Sequence, residues 1–465
     1  MIDIIEEKLD NQITQYLILA AITLLAAFLR FYKLGEWSFW YDEIFTLRDV
    51  ARIFELSATN QQFSRWLIYG VLNLLGTTEF NARLVPALIG IFSIPILYFP
   101  TRKIFTVPTA LLFAVFLAIS PWHLYWSQNA RFYTPLLLFY TIGLFLVYFA
   151  IEEDRPWYLV FSLLFFGLAV MERVFAVMLV PVVAGYLIGL KFLPFDKPPG
   201  LRARNILILA VPTLLIGFLG SYRFIENPEK WFEGFGWINN NPFWILSGIT
   251  FYIGIPFICI GLMTAVYFLL NKDRSVLLLT MAAIFPALLI VVLSLIQYTA
   301  NRYIFVSLTP WLILSALGVW ELFKQVEGRA WIIVSGVLLI LLMFPMGENV
   351  LYYQYQNGNR DDWKGAFELV NELKVPGDMV VVTEQRMGDY YLEDDVSYNY
   401  SYLDYDKLPD SNQRYWFVVD NNLGEKKPEI LEWVKENSEL IANNDVVVRA
   451  RKFKMRVYLY DPSEP

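Results

Sequence analysis

The stretch VLLLTMAAIFPALLIVVLSLIQ, from Val276 to Gln297, is 22 residues long and carries no charged side chain. A helix of about 20 apolar residues spans the roughly 30 Å hydrocarbon core of a bilayer. Lipid offers no hydrogen-bond partners to the backbone, so a chain crosses it as a helix or as a closed barrel of alternating strands. This run is continuous and does not alternate. It therefore predicts a membrane-spanning helix.

Runs of similar length recur through the first three quarters of the chain and predict about eleven transmembrane helices. Only 17% of the residues are charged, whereas about 25% are charged in soluble globular proteins. The first run follows acidic residues and lacks a basic segment before it, so we interpret it as a retained span and not as a signal peptide. The predicted spans are Ile13–Phe31, Leu84–Pro100, Ile104–Ser120, Pro135–Ile151, Trp157–Met171, Phe175–Leu190, Ile206–Ser221, Phe243–Leu270, Val276–Gln297, Tyr303–Phe323 and Ala330–Met346.

From about Glu348 onward the sequence becomes more polar and no spanning run remains. Helical spacing is found in Asp361–Lys374 and Pro428–Leu440, and short strand-like runs alternate with these segments. We therefore predict a transmembrane domain over residues 1–347 and a soluble α/β domain over residues 348–465. The strand-like runs are Met379–Thr383, Trp416–Val419, Val446–Val448 and Met455–Leu459.

Basic residues are concentrated in one set of loops, which the positive-inside rule assigns to the cytoplasm. The opposite loops also contain arginines, but these lie beside apolar segments and acids, where chemical roles are expected. The pattern predicts a multi-pass protein of the cell membrane with its first loop and C-terminal domain on the extracytoplasmic side. The cytoplasmic basic residues would be Arg102, Lys103, Lys191, Lys197, Arg202, Arg204, Lys272, Arg274, Lys324 and Arg329.

Composition argues against several classes of function. The net charge of −7 offers no basic surface for nucleic acid. The only cysteine, Cys259, and the only histidine, His123, argue against a disulfide framework, a histidine-built metal site and a Ser-His-Asp triad. We expect no cofactor to be required, and we interpret His123 as a structural residue.

The first loop contains LGEWSFWYDEIFTL, in which Asp42 and Glu43 follow a cluster of aromatic residues. Adjacent carboxylates raise each other's proton affinity, so one can act as a general base beside the other. The same pattern is typical of a helix that begins with acids and is flanked by an interfacial aromatic belt. Spacing alone leaves both interpretations open. A divalent metal could bind this acidic pair, although nothing in the sequence requires one.

The segment SPWHLYWSQNARFYTP places Arg131 among Tyr125, Gln128 and Tyr133, which are candidate substrate contacts. An arginine at mid-depth in a bilayer costs about 2.5–3.5 kcal/mol, so an anionic partner is expected, and the guanidinium fork suits a phosphate. In QYTANRYIFVSLTPW, Arg302 lies at the start of the tenth span in a similar setting. Both arginines could instead extend to the interface.

Two adjacent charged residues, Glu172 and Arg173, end the fifth span. Opposite charges at the end of a span are typical of residues anchored at the membrane interface. We interpret them as an interfacial pair.

Four motifs occur in a fixed order: WYDE after the first span, NARLVPALIG entering the second, YWSQNARFYTPLL before the fourth, and NRYIFVSLTPWLIL entering the tenth. Together they resemble the bacterial and archaeal branch of the C-type glycosyltransferase (GT-C) superfamily, which includes protein O-mannosyltransferases and lipid A aminoarabinose transferases. The tail NRDDWKGAFELVNELKVPGDMVVV is similar to the soluble domain that many members of this branch carry. The resemblance covers most of the chain.

The resemblance implies a sugar donor linked to a polyprenyl phosphate, an extracytoplasmic active site and inversion at the anomeric carbon. It assigns the acid of the first-loop motif to Asp42, with Glu43 beside it, and the phosphate contacts to Arg131 and Arg302. The chain departs from the family where relatives carry His-Pro-Pro-Leu-Tyr, because the corresponding region reads TNQQFSRWLIYG. The acceptor hydroxyl, on a lipid, a glycan or a protein, therefore remains open.

The chemistry of a phosphate leaving group agrees with this assignment. A phosphate monoester has a second pKa of about 6, so it departs as an anion and needs positive charge more than a general acid. One base and one or two arginines are sufficient for a single inverting displacement. A retaining reaction would need a second carboxylate about 5 Å away, acting as a nucleophile.

Two other classes of function fit parts of the pattern. A transporter or flippase of a lipid-linked sugar would also place charges in the membrane. Its halves would be expected to repeat, and its charges to follow a path through the bilayer, and the sequence shows neither feature. A receptor with a ligand-binding soluble domain would have no need of the adjacent carboxylates.

Overall fold

A computed structural model describes Leu9 and residues 11–57, 61–226, 243–295, 299–326, 330–392, 397–405, 408, 412–448 and 451–463. The chain forms two compact units. The helical unit contains Met1–Tyr32, Phe54–Leu67 and Leu84–Met346. The α/β unit contains Lys33–Ile53, Ile68–Arg83 and Gly347–Pro465. The α/β unit thus includes parts of the first loop as well as the C-terminal part of the chain.

Fifteen described α-helices precede the C-terminal part of the chain. All eleven predicted spans contain helix, although residues 296–297 of the ninth lie outside the described residues. The helices are α1 (Gln12–Phe31), α2 (Tyr41–Ala51), α3 (Phe63–Leu75), α4 (Glu79–Ile104), α5 (Val107–Ile119), α6 (Pro121–Ser127), α7 (Tyr133–Glu153), α8 (Pro156–Glu172), α9 (Leu179–Phe192), α10 (Ala203–Glu226), α11 (Phe243–Ile249), α12 (Ile255–Leu270), α13 (Arg274–Ser294), α14 (Leu308–Gln325) and α15 (Trp331–Gln354).

Within the described residues, eight helical stretches are long and apolar enough to span a bilayer, and α5 with α6 forms a ninth if this bent pair is one span. Two further apolar helices, α8 and the described apolar part of α10, are shorter. They lie where the fifth and seventh spans were predicted. The predicted fold class, a polytopic α-helical membrane protein with a C-terminal α/β region, is confirmed.

The corner between α5 and α6 is bent by 57°. Ser120 ends α5 and also caps α6, because its hydroxyl accepts a hydrogen bond from the backbone N–H of His123. The buried Arg30 of α1 donates to the carbonyls of Leu117 and Ala118, which are among the last of α5. These carbonyls lack helical partners and would otherwise be left unsatisfied in an apolar interior.

Gln128, the residue that follows α6, forms further hydrogen bonds between this corner and α1. The side-chain amide of Gln128 donates to the backbone carbonyls of Leu29, Arg30 and Tyr32 at the end of α1. The end of α6 also packs closely against α4, since a Cβ added at Gly90 of α4 would lie 2.2 Å from the hydroxyl of Ser127. The chain that leads to Arg131 is therefore fixed to α1 by hydrogen bonds and to α4 by tight packing.

The C-terminal part of the α/β unit contains a five-stranded sheet in the order β2-β1-β3-β7-β4 and a separate β5–β6 hairpin. Strands β1, β2 and β3 are parallel, whereas β7 runs antiparallel to both β3 and β4. The elements are α16 (Trp363–Leu373), β1 (Met379–Val382), α17 (Gln385–Tyr391), β2 (Ser397–Asn399), β3 (Tyr415–Asp420), α18 (Asn421–Lys426), α19 (Pro428–Asn437), β4 (Glu439–Asn443), β5 (Val446–Val448), β6 (Arg451–Phe453) and β7 (Met455–Tyr460).

The four predicted strands and both predicted helices of this region are present. One boundary is wrong, because the helix predicted over Pro428–Leu440 ends at Asn437 and the chain enters β4 at Glu439. Pairing of β4 with β7 determines this ending. In the sequence, the apolar Leu440 continued the helical spacing of the preceding residues. In the structure it lies in β4, and its side chain is 47% exposed.

Candidate active site

Asp42 and Glu43 lie in the first turn of α2. The Glu43 carboxylate accepts a hydrogen bond of 2.9 Å from the backbone N–H of Trp40, the residue before the helix. This is one half of a capping box, and it satisfies an N–H that has no helical partner. The interpretation of the acids as a helix start is therefore correct for Glu43. It does not describe the whole environment of that residue.

Glu43 is fully buried between two arginines. Arg83 approaches it with two nitrogens: Nε lies 2.9 Å from Oε1 and Nη2 lies 3.0 Å from Oε2. Arg360 adds a contact of 3.1 Å from Nη1 to Oε2. Both arginines are themselves fully buried. The two carboxylate oxygens of Glu43 are thus occupied by three guanidinium nitrogens as well as by the N–H of Trp40.

Arg83 also binds the chain that leads into α2. Its remaining N–H groups donate to the carbonyls of Leu34, Trp37 and Ser38 at 3.0, 2.9 and 2.8 Å. All five donors of this guanidinium are therefore used. The loop before Asp42 thus surrounds the Arg83 side chain. These hydrogen bonds fix the position of the first turn of α2.

The segment before α16 is tied to the same loop. The Ser38 hydroxyl donates to the carbonyl of Asp361 at 2.7 Å. Gly358 has a positive φ of 60°, and a Cβ added there would lie 2.6 Å from the Trp37 ring, so no other residue fits this turn without displacing the ring. This turn places the Arg360 side chain in contact with Glu43.

Tyr391 of α17 provides another link within the α/β unit. Its hydroxyl accepts a hydrogen bond from the backbone N–H of Phe39 at 2.6 Å and donates to Glu79 at 3.0 Å. Burial, together with the neighbouring charge of Glu79, raises the pKa of the Tyr391 hydroxyl, so it stays protonated and keeps donating. The loop that carries Asp42 is thus held from several sides.

Asp42 differs from its neighbour in its surroundings. Its side chain is only partly buried, and its backbone carbonyl accepts a hydrogen bond from the hydroxyl of Thr46 one turn later. Of the two predicted acids, Asp42 is therefore the more exposed.

Arg131 and Arg302 both belong to the helical unit. Their segments meet around Phe305, which follows Arg302 in a short 3-10 helix, Asn301–Ser307. The Phe305 ring centre lies 4.9 Å from that of Trp122 and 6.4 Å from that of Tyr133. The structure therefore brings the two arginine-bearing segments together within this unit.

The three candidate substrate contacts have different environments. Gln128 is fully buried and binds the end of α1, and Tyr133 is 1% exposed and stacks on Trp126 with ring centres 3.7 Å apart. Packing accounts for both side chains. Tyr125 is partly exposed, with its ring edge-on to Trp126 at 4.8 Å, and it is the one of the three that a ligand could contact directly.

Two residues of this arrangement, Arg83 and Arg360, were not predicted. Both occur in motifs that carried the family resemblance, NARLVPALIG and NRDDWKGAF. Neither motif indicates which acid its arginine contacts, because Glu43 is 40 residues from Arg83 and 317 residues from Arg360 in the chain.

Metal-ligand groups are scarce in the part of the chain that the structure describes. No cluster of three or more His, Cys, Asp or Glu residues there could hold a metal ion. His123 is buried and lies 2.7 Å from Arg30 through its Nδ1 atom, which agrees with a structural role. Cys259 is a free, exposed thiol.

Comparison with known proteins identifies the class of this fold. The sequence model of the dolichyl-phosphate-mannose-protein mannosyltransferase family matches residues 63–216. No curated protein sequence matches the chain. The structure is similar to that of ArnT from Cupriavidus metallidurans in the apo state, with a TM-score of 0.60 and 15% sequence identity over 96% of this chain and 98% of that one.

Two further structures are similar to this one. ArnT from the same organism bound to undecaprenyl phosphate has a TM-score of 0.58 and 14% identity, again over 96% of this chain and 98% of that chain. The apo form of the Archaeoglobus fulgidus oligosaccharyltransferase has a TM-score of 0.58 and 13% identity, over 90% of this chain and 71% of that chain. Both proteins are GT-C glycosyltransferases. The chain therefore has the GT-C fold, and the resemblance seen in the sequence is confirmed.

Proposed function

We propose that this chain is a membrane glycosyltransferase that moves a sugar from a polyprenyl-phosphate donor to a hydroxyl group of a lipid, a glycan or a protein. The observation that carries the proposal is the GT-C fold over almost the whole chain, combined with the motif residues Asp42, Arg131 and Arg302. The transferred sugar is a hexose or a pentose. The reaction takes place on the extracytoplasmic side.

The relatives support the choice of donor. The matching family is named for dolichyl-phosphate-mannose, and ArnT has been crystallised with undecaprenyl phosphate, so both names refer to a polyprenyl carrier bearing a phosphate. Arginines at the ends of membrane helices, as found for Arg131 and Arg302, suit the headgroup of such a carrier.

The proposed reaction is one displacement. The acceptor oxygen forms a bond to the anomeric carbon while its proton passes to the Asp42 carboxylate. The bond from that carbon to the phosphate oxygen breaks, and this oxygen keeps the electron pair as polyprenyl phosphate departs. Attack from the face opposite the leaving group inverts the configuration. Arg131 and Arg302 hold the phosphate and stabilise the charge that develops on it.

Glu43 has a positioning role in this proposal. Its carboxylate is occupied by Arg83, Arg360 and the N–H of Trp40, and this anchors the helix turn that presents Asp42. Fixing a catalytic group in a reactive geometry lowers the barrier without any chemistry by the anchor itself. The adjacent acids thus divide into a base and an anchor.

The experiment that tests the proposal separates the base from the phosphate contacts. Asp42→Asn keeps the shape of the side chain but cannot take a proton, so turnover should fall by about 10²–10⁴-fold while donor affinity persists. Arg131→Ala and Arg302→Ala should each weaken donor binding about 10-fold or more, together with turnover. Affinity and turnover are measured in nanodiscs with undecaprenyl-phosphate-linked sugars.

Arg48→Ala is a matched control, because this exposed arginine is paired with Asp49 on the same helix as Asp42. It should change neither donor affinity nor turnover. Wild-type turnover in Asp42→Asn would remove Asp42 from catalysis. Unchanged donor affinity in both Arg131→Ala and Arg302→Ala would remove these arginines from the phosphate site.

A further inference from the structure

Arg173 follows α8 and has an exposed side chain. Its neighbour Glu172 is fully buried and turned to Ser64, whose N–H and hydroxyl lie 2.8 and 2.6 Å from the two carboxylate oxygens. The interfacial pair expected from the sequence is therefore not formed. In the described ranges of the chain, no acid forms an ion pair with Arg173.

The guanidinium of Arg173 lies against an aromatic ring that it shares with a second arginine. Its central carbon is 5.5 Å from the centre of the Phe132 ring, and that of Arg131 is 5.0 Å from the same centre. Phe132 is 2% exposed, so the ring is a fixed support for both cations. The guanidinium groups of Arg131 and Arg173 therefore lie against the same buried ring.

The third arginine is connected to this pair by aromatic packing. Phe175, two residues after Arg173, lies 6.3 Å from Phe132 and 5.0 Å from Tyr303, measured between ring centres. The Arg302 guanidinium is 5.9 Å from the centre of the Tyr303 ring. Arg131, Arg173 and Arg302 therefore surround one aromatic cluster of the helical unit.

We propose that Arg173 is a third contact to the phosphate, and that it acts mainly when the phosphate carries two negative charges. This inference rests on the proposed function. The donor is a phosphodiester with one negative charge, and Arg131 and Arg302 are sufficient for it. When the bond to the sugar breaks, the phosphate oxygen keeps the electron pair, and the resulting monoester carries a second charge above its pKa of about 6.

A contact that strengthens as this charge develops stabilises the transition state more than the ground state. Arg173 should therefore affect kcat more than the KM for the donor. The Glu172–Ser64 contact supports this role, because it ties the end of α8 to the start of α3 and so fixes the backbone next to Arg173.

The test uses undecaprenyl phosphate as the probe and needs no knowledge of the sugar. Its affinity for the wild type, Arg173→Ala, Arg173→Lys and Arg155→Ala is measured in nanodiscs at pH 8 and at pH 5. Arg155 is the matched control, since it is an exposed arginine at the opposite end of α8, paired with Glu153. We expect Arg173→Ala to weaken binding about 10-fold at pH 8, where the phosphate is a dianion, and much less at pH 5. Arg173→Lys should recover part of the loss, and Arg155→Ala should match the wild type at both pH values.

Each outcome has a distinct meaning. A wild type that does not bind undecaprenyl phosphate would overturn the proposed function itself. A wild type that binds, with Arg173→Ala equal to it at pH 8, would overturn the role of Arg173 alone. An equal loss at both pH values would also overturn it, because a structural defect has no reason to follow the charge of the phosphate.

Discussion

Asp42 and Glu43 are neighbours in the sequence, but the structure gives their carboxylates different surroundings. Glu43 accepts hydrogen bonds from Arg83, Arg360 and the backbone of Trp40 in a fully buried setting. Asp42 is partly exposed on the same helix turn. At the scale of single residues, the proposed base and the acid that anchors the helix turn can therefore be separated by substitution.

Glu43→Gln should destabilise the α/β unit. The change keeps the size of the side chain but takes the carboxylate charge of Glu43 away from the buried Arg83 and Arg360. Removing one partner of a buried ion pair costs roughly 3–5 kcal/mol. We expect a loss of this order in the free energy of unfolding, measured by denaturant titration in detergent micelles. Turnover should fall as well, because the turn that presents Asp42 loses its anchor.

Asp42→Asn is the matched control for Glu43→Gln, since it makes the same chemical change one residue away. Its side chain is partly exposed, so the stability should stay within about 0.5 kcal/mol of the wild type, as is usual for surface substitutions. If Glu43→Gln were as stable as Asp42→Asn, the buried carboxylate would not be the anchor that we describe.

The sequence allowed Asp42 and Glu43 to be proposed as site residues, but it did not show which of them is the buried anchor and which is the candidate base. Two adjacent acids after an aromatic cluster are compatible with a base, a helix cap or both. Which acid is buried depends on Arg83 and Arg360, and these partners approach from distant parts of the chain. Arg173 was interpreted as part of an interfacial pair for the same reason, because the contact between Glu172 and Ser64 crosses 108 residues.

At the scale of elements, the membrane helices were predictable because apolar length alone specifies them. The bend between α5 and α6 was not predicted, because the apolar run indicated only a single span over Ile104–Ser120. The bend depends on Arg30, which satisfies the last carbonyls of α5 from another helix. In the α/β region, the strands with strong apolar runs were predicted, whereas the edge strand β4 was assigned to the preceding helix.

At the scale of the whole molecule, the orientation in the membrane can be tested directly. We predict that the first loop and the C-terminal region are extracytoplasmic, because the basic residues are concentrated in the opposite loops. In a Cys259→Ser background, Arg52→Cys and Lys435→Cys, both at exposed positions, should react with a membrane-impermeant thiol reagent in intact cells. Lys197→Cys, at an exposed position in a predicted cytoplasmic loop, should react only after the cells are opened. Labelling of only one of the first two positions in intact cells would contradict this topology.

The central claim is that the protein makes a new glycosidic bond and does not merely move a lipid-linked sugar across the bilayer. The most direct measurement uses proteoliposomes with an undecaprenyl-phosphate-linked sugar and an acceptor extract of envelope lipids and proteins from the producing organism. Mass spectrometry then follows both free undecaprenyl phosphate and the mass added to the acceptor. We predict that both appear together in equal amounts with the wild type, and that neither appears with Asp42→Asn. Movement of the intact donor between leaflets, with no free undecaprenyl phosphate and no glycosylated acceptor, would contradict the account.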